Sequence, residues 1–158
     1  HYGGPQFQYS NGRCYLATEY YWITGERRDG YTTYDDYSAE GGSIYGQYFF
    51  NSDATVKISS KKGKIGGVKC KAKFGCTAAK FMLESIDTRD GELNGLNGTH
   101  GKAVHIGLNH YFNSNVRLMV DATRGTYLGG HNDFYSDANR ADRRHNMTSI
   151  QARLHAKF

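Results

Sequence analysis

At 158 residues the chain has room for one domain, and no apolar run approaches the roughly eighteen residues of a membrane helix, which excludes a helical membrane protein. With Tyr 13, Phe 8, Gly 20 and Pro 1, the composition favours strands joined by tight turns over helices, so the expected fold class is all-β. A formal charge of +5 suits nucleic acid, anionic lipid or small anions alike, so the placement of the charges has to decide.

Pro5 to Ser10 is a short strand ending at Asn11-Gly12, a hairpin signal. Arg13 to Arg27 follows as a long strand, with Cys14, Leu16, Thr18, Tyr20 and Trp22 on one face and Tyr15, Ala17, Glu19, Tyr21 and Ile23 on the other. Both faces are aromatic here, so the pattern leaves inside and outside open. The stretch from Glu26 to Glu40 reads as a polar loop, and Gly41 to Phe50 as a strand setting Ile44, Gly46, Tyr48 and Phe50 against Ser43, Tyr45, Gln47 and Phe49. Aromatics at strand ends suit membrane-interface girdles as well as ordinary sheet packing. Asn51 to Gly75 is dominated by Lys57, Lys61, Lys62, Lys64, Lys69, Lys71 and Lys73. It reads either as a basic loop that draws anions to a pore or as a solvated loop or short polar hairpin. Cysteines number three: in an oxidising compartment a Cys70 to Cys76 bridge would leave Cys14 free or available to a neighbouring chain, and reduced thiols are the other reading.

Cys76 to Asp87 alternates Ala79, Phe81 and Leu83 with Ala78, Lys80, Met82 and Glu84. The Asp-, Asn- and Gly-rich loop from 88 to 101 lacks the ligand spacing of a calcium loop. Lys102 to Thr123 is a hairpin: Val104, Ile106, Leu108 and Phe112 share one face, the chain turns at Asn113-Ser114-Asn115, and Val116, Leu118, Val120 and Ala122 resume that face against Arg117, Met119, Asp121 and Thr123. Arms of about ten residues have the length of tilted membrane-crossing strands. After a polar loop from 125 to 144, the closing strand sets Ile150, Leu154 and Phe158 against Gln151, Arg153, His155 and Lys157. Long loops at 26 to 40, 88 to 101 and 125 to 144 on one side, with a tight turn opposite, follow the outer-membrane barrel pattern. The strands number seven, whereas single-chain bacterial barrels have even numbers. Either the lysine-rich segment hides a further strand or the chain is the C-terminal part of a larger barrel. The start at His1, with no signal segment, likewise reads as a processed chain or a piece of a longer one.

Energy assigns the faces. An Arg or Lys facing lipid at mid-membrane costs about 2 to 4 kcal/mol, and Lys80, Glu84, Arg117, Asp121, Arg153 and Lys157 all lie opposite the apolar face. They are therefore expected to line water, while Val104, Ile106, Leu108, Phe112, Val116, Leu118, Val120, Ile150, Leu154 and Phe158 are expected to face the membrane. A cationic excess on a lumen favours anions, and by parity alone Lys80, Arg117, Arg153 and Lys157 are the candidates for an anion path. Wall-internal pairs, Arg117 with Asp121 or Lys80 with Glu84, are the competing reading. His100, His105, His110 and the cysteines lack zinc spacing, and no nucleophile elbow or phosphate-binding glycine loop is present. No metal, no cofactor, no enzymatic activity and no nucleic-acid partner are expected. A soluble β-barrel or sandwich binding module would show the same alternation, and a structural envelope barrel cross-linked through the odd cysteine is a third possibility.

The runs Gly-Leu-Asn-His-Tyr-Phe-Asn-Ser-Asn-Val-Arg-Leu-Met (107 to 119) and Ala-Arg-Leu-His-Ala-Lys-Phe (152 to 158), with Glu-Tyr-Tyr-Trp (19 to 22) and Gly-Gln-Tyr-Phe-Phe (46 to 50), resemble the C-terminal half of the phosphate-selective porins of bacterial outer membranes. The resemblance extends from about Tyr9 to Phe158. It implies a transmembrane β-barrel pore in the outer membrane of a Gram-negative bacterium, trimeric and of sixteen strands, passing small anions such as phosphate and contacting outer-membrane lipid. An arginine ladder and lysine clusters along the path are also implied. The lysine-rich segment is where the chain departs most from the family pattern.

Overall fold

The structure is a computed structural model that describes residues 1–29, 32–51, 53–59, 64–88, 99–129 and 144–157. Ten strands are present among the described residues: β1 (Tyr2–Gly3), β2 (Gln6–Ser10), β3 (Cys14–Asp29), β4 (Thr32–Phe49), β5 (Ala54–Ser59), β6 (Lys64–Cys70), β7 (Cys76–Asp87), β8 (Thr99–Tyr111), β9 (Val116–Gly129) and β10 (Arg144–Ala156). All are antiparallel. The main sheet runs β1-β3-β4-β7-β8-β9-β10, with β2 also on β3, while β5 and β6 pair only with each other. Because β1 meets β3 at Ile23 and Trp22 and β2 meets it from Glu19 to Tyr15, the two form one edge strand broken at Gly4-Pro5. The sheet is thus a seven-stranded meander, open between that edge and β10.

The tight turns form for local reasons. Asn11 Oδ1 accepts from the Cys14 amide at 3.0 Å, and Gly12 adopts φ +92°, a conformation that disfavours a side chain. In the second turn Asn113 Oδ1 accepts from the amides of Asn115 and Val116 at 2.8 and 2.9 Å, the side-chain-to-backbone bonding that makes Asn a turn former.

Two expectations need correction. The stretch from 26 to 40 is not a loop, since β3 continues to Asp29 and β4 starts at Thr32, with Arg27 opposite Tyr34. β7 joins β4 only from Glu40, so this is a two-stranded arm projecting past the sheet. Among the described residues no third strand pairs with the arm, and its sequence shows no alternation. For the lysine-rich segment the loop readings fail and the short-hairpin reading holds: residues 54–59 and 64–70 form the β5–β6 hairpin, Ala54 opposite Cys70. The other two expected loops are narrower than 88–101 and 125–144, because β8 begins at Thr99, β9 reaches Gly129 and β10 begins at Arg144; residues 89–98 and 130–143 lie outside the described ones.

The hairpin lies against one face of the sheet, and the core is the layer between them. Phe49 and Cys76 are fully buried there with Ala54, Val56, Ala78, Tyr15 and Tyr111, and Ile58, Val68 and Cys70 pack around them. The Phe49 and Tyr111 ring centroids are 5.6 Å apart. The hairpin is fastened at both ends: the Val56 amide donates to the Gly12 carbonyl at 2.9 Å, Ser10 Oγ donates to the Val56 carbonyl at 2.8 Å, and a disulfide joins Cys70 to Cys76. Closing so short a loop stabilises by roughly 2 kcal/mol on the chain-entropy relation. Cys14 is free. Peptide mapping with a maleimide is therefore expected to label Cys14 in the unfolded, unreduced protein and Cys70 and Cys76 only after reduction; labelling of all three before reduction would contradict the bridge.

Candidate functional site: two faces and a basic recess

Alternation separates two faces across the main sheet. On one, Leu16, Ile44, Phe81, Leu83, Val104, Ile106, Leu108, Leu118, Val120, Ile150 and Leu154 are all exposed, Ile106 at 59% and Ile150 at 80%. Phe112 is exposed on the same face and Val116 is half-buried; Phe158 lies outside the described residues. Aromatics gather towards both ends of this face: Tyr48, Phe50 and Phe112 near the tight turns, Tyr20 and Trp22 near the arm. Arg13 sits among the first group, its guanidinium 5.2 Å from the Tyr48 ring centroid and its Nη2 donating to the Phe50 carbonyl at 3.0 Å. A contiguous apolar surface over six strands is far beyond the few hundred Å² that a soluble monomer ordinarily exposes.

The opposite face carries Lys80, Glu84, His105, Arg117, Asp121, Arg153 and Lys157, whereas Asp87, His100, Lys102 and Arg124, towards the arm, stand in phase with the apolar face; register sets the partners. Lys80 stands opposite Gly107 and Gly107 opposite Asp121, so Lys80 Nζ reaches across β8 to Asp121 Oδ1 at 2.6 Å. Glu84 Oε1 lies 3.0 Å from His105 Nε2, and His105 Nδ1 is 2.9 Å from Thr123 Oγ1. Neither pairing expected from sequence, Arg117 with Asp121 or Lys80 with Glu84, is present. Both acids are thereby engaged, and among the described residues no carboxylate pairs with Arg117, Arg153 or Lys157.

Near the tight turns this face does not simply meet water, because the β5–β6 hairpin covers it. Between hairpin, sheet and the 113–115 turn lies a recess of about 410 Å³, lined by Lys80, Arg117, His155 and Lys157 together with Tyr45 and Asn109. Three of the four cationic candidates therefore share one site, while Arg153, exposed on β10 opposite Met119, stands apart. Two buried polar atoms in the recess, Arg117 Nε and Asn109 Oδ1, have no hydrogen-bond partner among the described residues. The Tyr45 hydroxyl donates to Gln47 Oε1 at 2.7 Å, and Gln47 Nε2 donates to the Tyr111 hydroxyl at 3.3 Å, which gives the recess a polar wall on β4 and β8. Gln47, Asn109 and His155 were not among the site candidates read from sequence. Their phase with Lys80 and Arg117 was the available signal. Among the described residues no group of three or more His, Cys, Asp or Glu side chains could hold a metal ion.

Compared with known families, residues 3–158 match the one described as phosphate-selective porin O and P. The chain belongs to that family. It is a family of channels and not of enzymes, and its phosphate selectivity is a family-level property. No curated protein and no solved structure matches the chain. Membership accords with an all-β chain of antiparallel strands.

Proposed function

We propose that the seven-stranded sheet is a continuous arc of a transmembrane barrel wall in the outer membrane of a Gram-negative bacterium, with its apolar face against lipid and its ionisable face on an anion-preferring pore. The observation that carries this reading is the segregation of the faces over the central span: Leu83, Val104, Ile106, Leu108, Leu118, Val120, Ile150 and Leu154 share one exposed side, and Lys80, Glu84, Arg117, Asp121, Arg153 and Lys157 share the other, while towards the arm Ile86, Lys102 and Arg124 depart from it. Seven strands with two unpaired edges call for further strands beside β2 and β10 to close the wall, and a homotrimer is the assembly proposed. The arm then lies on the outer side and the 113–115 turn on the inner.

With Asp121 and Glu84 occupied, Arg117 and Lys157 leave a net positive recess. A planar guanidinium offers paired donors to an oxyanion such as phosphate, and an ammonium a compact charge. Arg153 would add a further cationic point along the wall.

The test is the zero-current potential of the detergent-purified protein in a planar bilayer under a KCl gradient, before and after phosphate is added. Chloride preference that phosphate blocks is the expected result, weakened in the Arg117→Ala, Lys157→Ala double variant. Cation preference would overturn the anion reading and keep the pore; absence of conductance from folded protein would overturn both and favour a structural envelope role.

A further inference from the structure

We propose that Asp121 sets how anion-selective the pore is, by holding Lys80 in an internal ion pair, and that Gly107 is the residue that makes the pair possible; the proposal rests on the pore reading above. Lys80 and Asp121 belong to strands that are not neighbours. On adjacent strands side chains at one level meet directly, but two strands apart, about 9 to 10 Å, an intervening side chain normally separates them. Here the residue between them is Gly107. A Cβ at that position would collide with Asp121 Oδ1 and the Val120 carbonyl oxygen and would stand 3.0 Å from Lys80 Cε. The missing side chain is the channel through which the lysine crosses β8.

The geometry has an electrostatic consequence. The paired side chains are only 18% and 26% exposed, so the carboxylate both cancels the ammonium charge and pulls it against the wall. Lys80 is nonetheless part of the lining of the basic recess. Asp121 thus acts as a built-in counter-ion in competition with passing anions: while it holds Lys80, the recess presents Arg117 and Lys157 alone. The flanking rows offer Lys80 no other acid. Towards the arm, Glu84 is engaged by His105, and towards the tight turns the same face carries Ala78, Asn109 and Met119.

Two measurements on Asp121→Asn test this, with folding checked by circular dichroism of the strand content. The anion-over-cation permeability ratio is expected to rise about sixfold, because one further unit charge met at about 8 Å in water raises the anion's occupancy and lowers the cation's by a Boltzmann factor of about 2.4 each. Acetylation of Lys80 by an amine-reactive ester, followed by mass spectrometry, is expected to run several-fold faster than in wild type, because the freed ammonium extends into solvent. In the Lys80→Gln, Asp121→Asn double variant the ratio is expected to return to the wild-type value. An unchanged ratio in folded Asp121→Asn would overturn the proposal and leave the pore reading standing. A raised ratio with unchanged Lys80 reactivity would also overturn it, since Asp121 would then act by its own charge. Wild-type protein that forms no pore would overturn the parent reading, and this proposal with it.

Discussion

Phe49→Ala is expected to destabilise the protein by about 3 to 5 kcal/mol, the usual cost of truncating a fully buried Phe. Phe49 has no exposed surface and joins the sheet to the hairpin: it packs in one cluster with Ala54 and Val56 of β5, Cys76 of β7 and Tyr111 of β8. The disulfide and the backbone bonds at Val56 hold the hairpin close even when the ring is gone, so the site cannot fully collapse and a cavity remains. Phe50 is the control. One residue on, it points to the other face and is 55% exposed, and its truncation opens no cavity. Urea unfolding in detergent or lipid vesicles, followed by the fluorescence of Trp22, gives the comparison. A Phe49→Ala midpoint no lower than that of Phe50→Ala would mean that the hairpin does not seat on this face.

Ile106→Arg separates the membrane reading from any soluble one. Ile106 is 59% exposed in the middle of the apolar face. On a soluble protein, an exposed residue of this kind changes for about 0.5 kcal/mol or less in either direction. At the midplane of a bilayer the same arginine costs about 2 to 4 kcal/mol. Gln151→Arg, exposed on the opposite face and in register with Asp121, is expected to stay within about 0.5 kcal/mol in either solvent. Folding into lipid vesicles across a urea series reads both variants. Equal, small effects would remove the lipid assignment of the apolar face, whereas a large cost at 106 alone would support it and, through strand parity, the facing of β7 to β10.

The meander was largely legible in the sequence, and the exceptions are instructive. Both tight turns stood out because Asn and Gly act within a few residues of themselves. The hairpin at 54–70 was legible only as one alternative beside a loop, although Ala54, Val56 and Ile58 already alternate; a short amphipathic strand dressed in lysine resembles a solvated loop until something is found for its apolar side to cover. The arm at 26–40 was misread for the converse reason, that among the described residues no third strand pairs with it and its sequence has no periodicity to show. Of the cationic candidates, parity brought Lys80, Arg117, Arg153 and Lys157 to one face, but it gave no indication that only three of them share a recess.

Fold class, the order of the long strands and the alternation of an apolar with a charged face along them are properties of this chain read alone, because a period of two is set by consecutive backbone units and carries the sign of each side chain with it. The seating of the hairpin on the ionisable face, the gathering of Arg117 and Lys157 in one recess, and the reach of Lys80 past Gly107 to Asp121 were decided only in three dimensions. Each depends on hydrogen-bond register between segments distant in sequence, and a shift of one residue in any strand would place different side chains across the same gap.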